Sequence, residues 1–555
     1  MIVRYNDDEN NKVKRWLKIG AWTFGIALFL FVGLFFLTIW LENKLERMVA
    51  EQSDGVYELQ LHGLQLSPFI GNLSVDSLSL TPDYERWQQL NSQYKDVSPT
   101  LMDLQSREIA LNGLNYLAVL FGSDPQLDEF IIENPEMLVT MMRKDTTSQE
   151  EPLHASVPDR IKGLQIGQID LGSGKVSYRD DTDTASTIFS IQQFNLTVDD
   201  IRLDSQSFQA QDRAYYAARV IFNAEQAAFF TSDKLYRLTA DSIVMNTDSS
   251  MLQAKQVSLN PTTDPTSMAE AKGEATAYME SDIPLIALTG IDFPEHSRNS
   301  NLIARHLLIQ EPSLDIFKDK KNFENKYKRP FPHEIVQNVQ VKFLVDTVEL
   351  TSGFIKYETI VPEAAERGLF TLENLEITVS NFSNMPEHIS MENPAVVQAN
   401  GLVMGKTRAN ITSRMPLLEE NGYHTLVGEV ASTDPKILNP MVAPTAFIRI
   451  ESGQISRGSV DLELTNEQAT GTFRLIYSNF EIELLSKGTG GDQSLGKEIL
   501  SELANWVAVK ESNPGSEGEQ PRVAEVDVAH EDENSIFNFW AKCLMDGFKS
   551  IATIM

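Results

Sequence analysis

One stretch of 26 residues occurs twice in this chain, and its repetition constrains the fold more than any other feature. Tyr57–Pro82 returns without a gap as Tyr236–Pro261, 179 residues later. Only six positions are identical, but the apolar positions coincide nearly throughout and alternate with polar ones. Alternation with a period of two is typical of a strand that has one apolar and one polar face. The repeat therefore predicts a β-hairpin that is used more than once.

A shorter signature lies inside the hairpin and elsewhere: apolar, any two residues, apolar, any one residue, apolar. In a regular strand, the three-residue step would turn the later apolar residues to the opposite face. A β-bulge absorbs the extra residue, keeps one face apolar and bends the strand. The signature therefore predicts a long, curved antiparallel sheet. It occurs at Leu61/Leu64/Leu66, Val75/Leu78/Leu80, Ile166/Ile169/Leu171, Ile191/Phe194/Leu196, Val198/Ile201/Leu203, Val345/Val348/Leu350, Leu372/Leu375/Ile377 and Tyr477/Phe480/Ile482.

The hairpin belongs to a larger block, because three further segments also return at nearly the same offset. They are Ile109–Tyr116 with Ile286–Phe293, Phe130–Val139 with Leu307–Ile316, and Ile169–Tyr178 with Val348–Tyr357. The sequence thus predicts a first β-repeat block over residues 42–235 and a second over 236–420. A C-terminal β region over 421–488 and a segment 489–555, with a helix, an acidic loop and an amphipathic helix, complete the chain.

The N-terminal region predicts a single membrane anchor. Ile19–Leu41 is a run of 23 residues without a charge. As a helix it would be ~34 Å long, which is enough to cross a bilayer. A cleaved signal peptide is disfavoured because the apolar run is long and no small-residue cleavage site follows it. More basic residues precede the span than follow it closely, which predicts that tail 1–18 is cytosolic and that the bulk lies across the membrane.

Composition and motifs argue against several functions. The net charge is −31, from 78 acidic and 47 basic residues, which disfavours a nucleic-acid partner. A single cysteine, Cys543, excludes an intrachain disulfide framework. The eight histidines form neither an H-E-x-x-H motif nor a metal-ligand cluster, and no Gly-x-Ser-x-Gly elbow occurs. We therefore predict that the protein is not an enzyme and that it uses no metal and no cofactor.

Two regions of the chain resemble the AsmA-like family. The short tail, the single span, YELQLHGLQL…NLSVDSLSL and IIENPEM resemble the opening of these proteins, and Ile450–Gly488 is similar to their conserved C-terminal region. The resemblance, which extends to TamB-type bridge-like lipid transporters, implies an inner-membrane protein with its bulk in the periplasm and a sheet folded over into a hydrophobic groove. Family members are associated with moving phospholipids toward the outer membrane or with supporting outer-membrane assembly.

The predicted fold class is mainly β: one N-terminal transmembrane helix, then an elongated, curved antiparallel repeat sheet, with short helices near the C-terminus. The apolar face of such a sheet must be covered. Phospholipid acyl chains could cover an open groove, because each CH₂ removed from water contributes ~0.8 kcal/mol. A closed β-sandwich acting as an assembly scaffold is the alternative. The predicted groove residues are Leu59, Leu61, Leu64, Leu66, Leu73, Val75, Leu78, Leu80, Ile166, Ile169, Leu171, Leu238, Ile243, Met245, Leu252, Val257, Leu259, Val345, Val348 and Leu350.

The last 21 residues, Ser535–Met555, show the pattern of an amphipathic helix. Two roles for its apolar side stay open at this point. It could cap the end of the sheet, or it could dock on a membrane surface, such as the outer membrane, or on an envelope protein. The predicted contact residues of this helix are Phe537, Trp540, Leu544, Phe548 and Ile551.

Overall fold

The computed structural model describes residues 39–67, 70–93, 97–115, 125–144, 164–182, 186–485, 509–531 and 535–553. This part of the chain is 55% strand and 17% helix, which confirms the prediction of a mainly β fold. It divides into two compact units. The N-terminal unit comprises Met1–Phe208 with Tyr216–Ala218, and the C-terminal unit comprises Gln209–Tyr215 with Arg219–Met555.

The N-terminal unit contains the first ten strands. They pair mainly as antiparallel neighbours, such as β1 with β4 and β9 with β10. Their bounds are β1 Tyr57–His62, β2 Gln65–Ser67, β3 Asn72–Val75, β4 Ser77–Pro82, β5 Thr100–Ser106, β6 Glu108–Asn112, β7 Gln126–Glu133, β8 Glu136–Met141, β9 Leu164–Asp180 and β10 Ser186–Leu203.

The C-terminal unit contains the other fourteen described strands, of which β11–β14 and β17–β24 pair antiparallel in chain order. The sequence did not predict β24. The bounds are β11 Arg219–Phe230, β12 Tyr236–Asn246, β13 Met251–Pro261, β14 Ala277–Thr289, β15 Leu302–Gln310, β16 Ser313–Asp319, β17 Phe343–Ile360, β18 Gly368–Ser383, β19 Ala395–Val403, β20 Thr407–Met415, β21 His424–Val430, β22 Ile448–Leu464, β23 Gln468–Leu484 and β24 Val523–Ala529.

Helices are short except at the two ends of the described chain. No described helix is long and apolar enough to cross a membrane. The predicted span Ile19–Leu41 lies outside the described residues except for its last three positions, and so does nearly all of the helix predicted over Leu495–Val509. The helices are α1 at 39–52, α2 Tyr84–Ser92, α3 Ser205–Gln209, α4 Pro265–Lys272, α5 Phe293–Asn299, α6 Pro332–Gln337, α7 Asn439–Ala446 and α8 Ile536–Ala552, with a 3₁₀ turn at Pro435–Leu438.

Four pairs of the described strands are parallel, which differs from the predicted antiparallel sheet. β7 and β8 both run parallel to β9, and β15 and β16 both run parallel to β17. In each case two successive strands continue in one direction across a left-handed residue followed by proline, Asn134-Pro135 or Glu311-Pro312. The chain then needs a long connection to start the next strand at the same end. Residues 142–163 and 320–342 provide that length.

The sequence repeat is also a repeat of structure. Tyr57 pairs with Pro82 in the first hairpin, and Tyr236 pairs with Pro261 in the second. Each tyrosine hydroxyl accepts a hydrogen bond from a backbone N–H two strands away: Met102 donates to Tyr57 at 3.0 Å, and Met279 donates to Tyr236 at 3.1 Å. Both copies are followed by the same arrangement of two strands parallel to a third. The two units therefore contain the same supersecondary block.

A line of kinks crosses β11–β18 of the C-terminal unit. At each kink the pairing register omits one or two residues; for example, Glu225 pairs with Ser242 and Ala227 with Ala240. Five of these residues have φ between +48° and +55°, as bulge residues often do. The kink at Asn374 lies inside a three-residue step of the apolar signature, between Leu372 and Leu375. The kinks lie at Gln226, Asp241, Gln256, Pro284, Glu311, Ser352 and Asn374.

Candidate functional site

The predicted groove residues of the first hairpin gather in one cluster of the N-terminal unit. Their shared neighbours are Ile109, Phe130 and Ile132. Leu66 and Leu80 are half-buried, and in the register they stand opposite members of the cluster. The predicted residues inside the cluster are Leu59, Leu61, Leu64, Leu73, Val75 and Leu78.

Helix α1 covers part of this cluster. Leu41 and Leu45 pack against it, and the Glu46 carboxylate accepts a hydrogen bond from the backbone N–H of Leu61 at 3.0 Å. The sequence did not predict this cover, because it assigned Leu41 to the membrane span. Part of this cluster, next to Leu61 of β1, is therefore covered by a helix of the protein itself.

The predicted residues of β9 continue the same rows. Ile169 and Leu171 are half-buried and lie in parallel register with Phe130 and Ile132 of β7. Ile166 is buried and pairs with apolar residues on both neighbouring strands. The apolar rows thus pass from strand to strand within the N-terminal unit.

The C-terminal unit carries an equivalent set of apolar rows, which we call the apolar face. On β11–β14 the cross-strand rows contain an apolar residue at nearly every position on both sides of the kinks. Its predicted members differ in exposure. Val257 is buried, Ile243, Met245 and Leu259 are half-buried, and Leu238 and Leu252 are 40% and 38% exposed.

Two of these rows extend from β14 across β15 to β17. Leu288, Leu307 and Val348 are neighbours in one row, and Ile286, Ile309 and Leu350 are neighbours in the next. Val345 and Val348 pack in a small cluster with Leu288 and Leu307. The predicted residues on β12, β13 and β17 therefore belong to one face. Most of its side chains keep part of their surface accessible.

Sequence reasoning missed several members of the apolar face. Phe222, Ala224, Ala227 and Phe229 of β11 stand opposite β12 residues of that face, and Phe229 is 43% exposed. The signal was present, since these residues show the same alternation with one three-residue step. The other side of β11–β14 is mostly polar.

At its C-terminal end the sheet is closed by α8. The helix begins after Ser535, whose hydroxyl accepts a hydrogen bond from the N–H of Asn538, and packs on β23 and β24. A side chain at Gly547 would come within 2.5 Å of the Phe473 Cβ atom, so the glycine allows helix and sheet to approach closely. Phe539 and Cys543 are completely buried in the same core. α8 therefore covers part of β23 and β24 at this end of the sheet.

Three of the five predicted contact residues of α8 pack against the core. Ile551 is buried, and Trp540 and Phe548 are half-buried against the core. Phe537 and Leu544 instead point away from it, with 71% and 40% of their surface exposed. The buried side is rotated toward Ile536, Phe539, Cys543 and Gly547.

Cys543 offers a direct test of this docking. Because burial raises the pKa of its thiol to about 11, we expect the native protein to resist maleimide labelling and the unfolded chain to take up one label. Gly547→Val should speed labelling of the native protein, because the added methyl groups clash with Phe473. Mass spectrometry after timed labelling measures both. Fast labelling of the unchanged protein would contradict the docked position of α8.

A neutral histidine connects α8 to the sheet. The Nδ1 atom of buried His424 lies 2.9 Å from the Gly422 carbonyl oxygen, and its Nε2 atom accepts a hydrogen bond from Trp540 Nε1 at 3.1 Å. This pattern requires the neutral tautomer with a proton on Nδ1. Burial lowers the pKa of His424, and burial likewise lowers the pKa of the nearby His333.

Acidification should therefore weaken the C-terminal region. A histidine whose pKa is lower in the folded than in the unfolded state contributes stability above its ordinary value of 6.5, and this stability is lost as the pH falls below that value. We expect the midpoint of urea unfolding to fall between pH 7 and pH 5. His424→Gln, which cannot take up a proton, should reduce this pH dependence. An unchanged dependence in that variant would contradict the assignment to His424.

No protein-family model matches the chain, and a search of curated proteins gives no significant match. The likeness to AsmA-like proteins therefore remains a resemblance. The described residues contain no group of three or more His, Cys, Asp or Glu side chains placed to hold a metal ion. Fold and site together define a repeat-built β protein with one apolar face that its own helices cover only in part.

Proposed function

We propose that this protein is anchored in the inner membrane and that its periplasmic part offers the apolar face as a path for phospholipid acyl chains between the inner and outer membranes. One observation carries the proposal: the apolar face runs from strand to strand through β11–β18 while residues such as Leu238 and Leu252 stay well exposed. Exposed apolar side chains in contiguous rows need a cover. An acyl chain provides one.

The energetics suit a moving ligand. Burying a chain of ~16 CH₂ groups contributes on the order of 10 kcal/mol at ~0.8 kcal/mol per group. This contribution is non-directional, so a chain can shift along the rows without breaking a specific contact. Alanine, valine, leucine, isoleucine, methionine and phenylalanine line these rows, and the chemistry of the face changes little from one strand to the next.

Photo-crosslinking tests the proposal at neighbouring residues. Leu238 belongs to the apolar face, whereas Arg237 is also exposed but points to the other side of β12. A crosslinker at position 238 in cells should capture phospholipid, and one at position 237 should not. Equal capture at both positions, or none at either, would contradict the proposal. Capture of an envelope protein instead of lipid at position 238 would support an assembly scaffold.

A further inference from the structure

A cationic group lies at one end of the apolar face. On β16, Leu314, Ile316 and Lys318 are alternate residues, so their side chains share the side that faces the apolar rows. Leu314 and Ile316 stand opposite Ile355 and Tyr357 of β17. Lys318 is the next alternate residue of β16, so it directly follows two apolar positions of the face. Along the strand it lies ~7 Å beyond Ile316.

Lys318 has positive neighbours and no carboxylate partner among the described residues. Lys320 and Arg329 lie close enough for their charges to act on it. The Glu274 carboxylate also acts on Lys318, but it is 4% exposed and already paired: it accepts hydrogen bonds from Arg329 Nη2 at 2.9 Å and from the backbone N–H groups of Lys326 and Tyr327. Neither Lys318 nor Lys320 forms an ion pair with any carboxylate of the described chain.

The environment of both lysines disfavours an isolated charge. Burial, followed by the charges of Arg329 and Lys320, lowers the pKa of Lys318 to about 8. Burial also lowers the pKa of Lys320. Half-buried ammonium groups with like-charged neighbours are unfavourable unless an anion joins them. In a chain with a net charge of −31, three basic side chains that share the single carboxylate of Glu274 run against the overall composition.

We propose that Lys318, Lys320 and Arg329 bind the phosphate group of a phospholipid whose acyl chains lie on the adjoining apolar face. The inference rests on the proposed function and extends it by assigning a headgroup site. Lysines bind phosphate as point charges, and their hydrogen bonds to it are charge-assisted. The cluster would hold the polar end of the ligand where the apolar residues of β16 end.

Binding of a short-chain lipid to the full-length protein in amphipol tests the site. The probe is dihexanoyl phosphatidylglycerol below its micelle concentration, compared with sodium phosphate and with the uncharged amphiphile hexyl maltoside. The variant Lys318→Met/Lys320→Met keeps the alkyl stems and removes both charges. Lys175→Met/Lys436→Met is a matched control, since it removes the same charge from exposed, carboxylate-paired lysines.

We expect the Lys318/Lys320 double variant to bind the lipid about tenfold or more weakly, and the control variant to bind it as the unchanged protein does. Unchanged lipid binding by the double variant would overturn the headgroup site. Sodium phosphate that binds as tightly as the lipid would also overturn it, since the cluster would then be a site for free phosphate. Hexyl maltoside has no charge, so it tests the apolar face without the headgroup site. If it fails to bind, the proposed function fails. If it binds to both variants, the apolar face binds amphiphiles, and the lipid measurements then decide the headgroup site alone.

The pH dependence gives a second readout. A lysine with a pKa of about 8 loses its proton as the pH rises from 7 to 9, so lipid affinity should fall across that range. Lys318→Arg stays charged and should remove most of the fall. An affinity that is equal at pH 7 and pH 9 in the unchanged protein would contradict the role of Lys318.

Discussion

Replacing Phe539 with alanine is expected to lower the free energy of unfolding by about 3–5 kcal/mol, the usual cost of removing a large buried aromatic side chain. Phe539 is completely buried, and its ring lies 4.8 Å from that of His530 and 6.3 Å from that of Phe331. It thus joins α8, the segment before α6 and the residues after β24. Removing it leaves a cavity between α8, the residues just before it and a segment about 200 residues earlier in the chain.

Phe537→Ala provides the matched control. The two residues lie on the same helix and undergo the same chemical change, but Phe537 is 71% exposed. Its replacement should change the free energy of unfolding by less than about 0.5 kcal/mol. Urea unfolding followed by tryptophan fluorescence measures both variants. Equal destabilisation by both would mean that the predicted side of α8, with Phe537, faces the core.

The contrast between these residues shows what the helical pattern could and could not predict. Ser535–Met555 predicts a helix, and the structure has one from Ile536 to Ala552. Apolar residues occupy much more than half of its circumference, so two overlapping sides could each serve as the contact. The close approach of Gly547 to Phe473 selects one of them. That selection depends on a strand more than 70 residues earlier, which a local pattern cannot show.

Alternation predicted the apolar face better than it predicted the strand connections. The three-residue step was correctly interpreted as a bulge in the strand, because only a local extra residue can keep Leu372, Leu375 and Ile377 on one side. Parallel pairing produces no comparable pattern in the sequence. Whether β16 runs with or against β17 depends on how the intervening chain returns, and alternation is the same in both cases.

The self-covered parts of the sheet were the least predictable. Ala524, Val526 and Val528 alternate in β24 and are buried, but they follow an acidic, Gly- and Pro-rich stretch that suggested a loop. In the same way, Leu41 and Leu45 pack on the first hairpin although Leu41 ends the predicted span and Leu45 follows it closely. Which apolar rows are covered by the protein and which stay exposed depends on tertiary packing.

A carboxylate on the uncovered part should therefore act on function without unfolding the protein. Leu252 is 38% exposed, so the charge in Leu252→Asp stays hydrated in the resting protein. An acyl chain that passes over β13 must strip water from it, which costs a few kcal/mol. At 1.4 kcal/mol for each factor of ten, we expect phospholipid transport to fall about 100-fold.

Gln253→Asp places the same charge one residue further along β13, on the opposite side of the sheet. It matches Leu252→Asp in charge, strand and position, and it should leave transport within about twofold of normal, because surface changes away from a site have small effects. Both variants must show the same unfolding midpoint before their transport rates are compared. A conduit requires a difference between the two faces, since the acyl chain touches only one. A scaffold whose sheet serves only as a rigid support would treat both charges alike, and equal transport in the two variants would therefore contradict the lipid path.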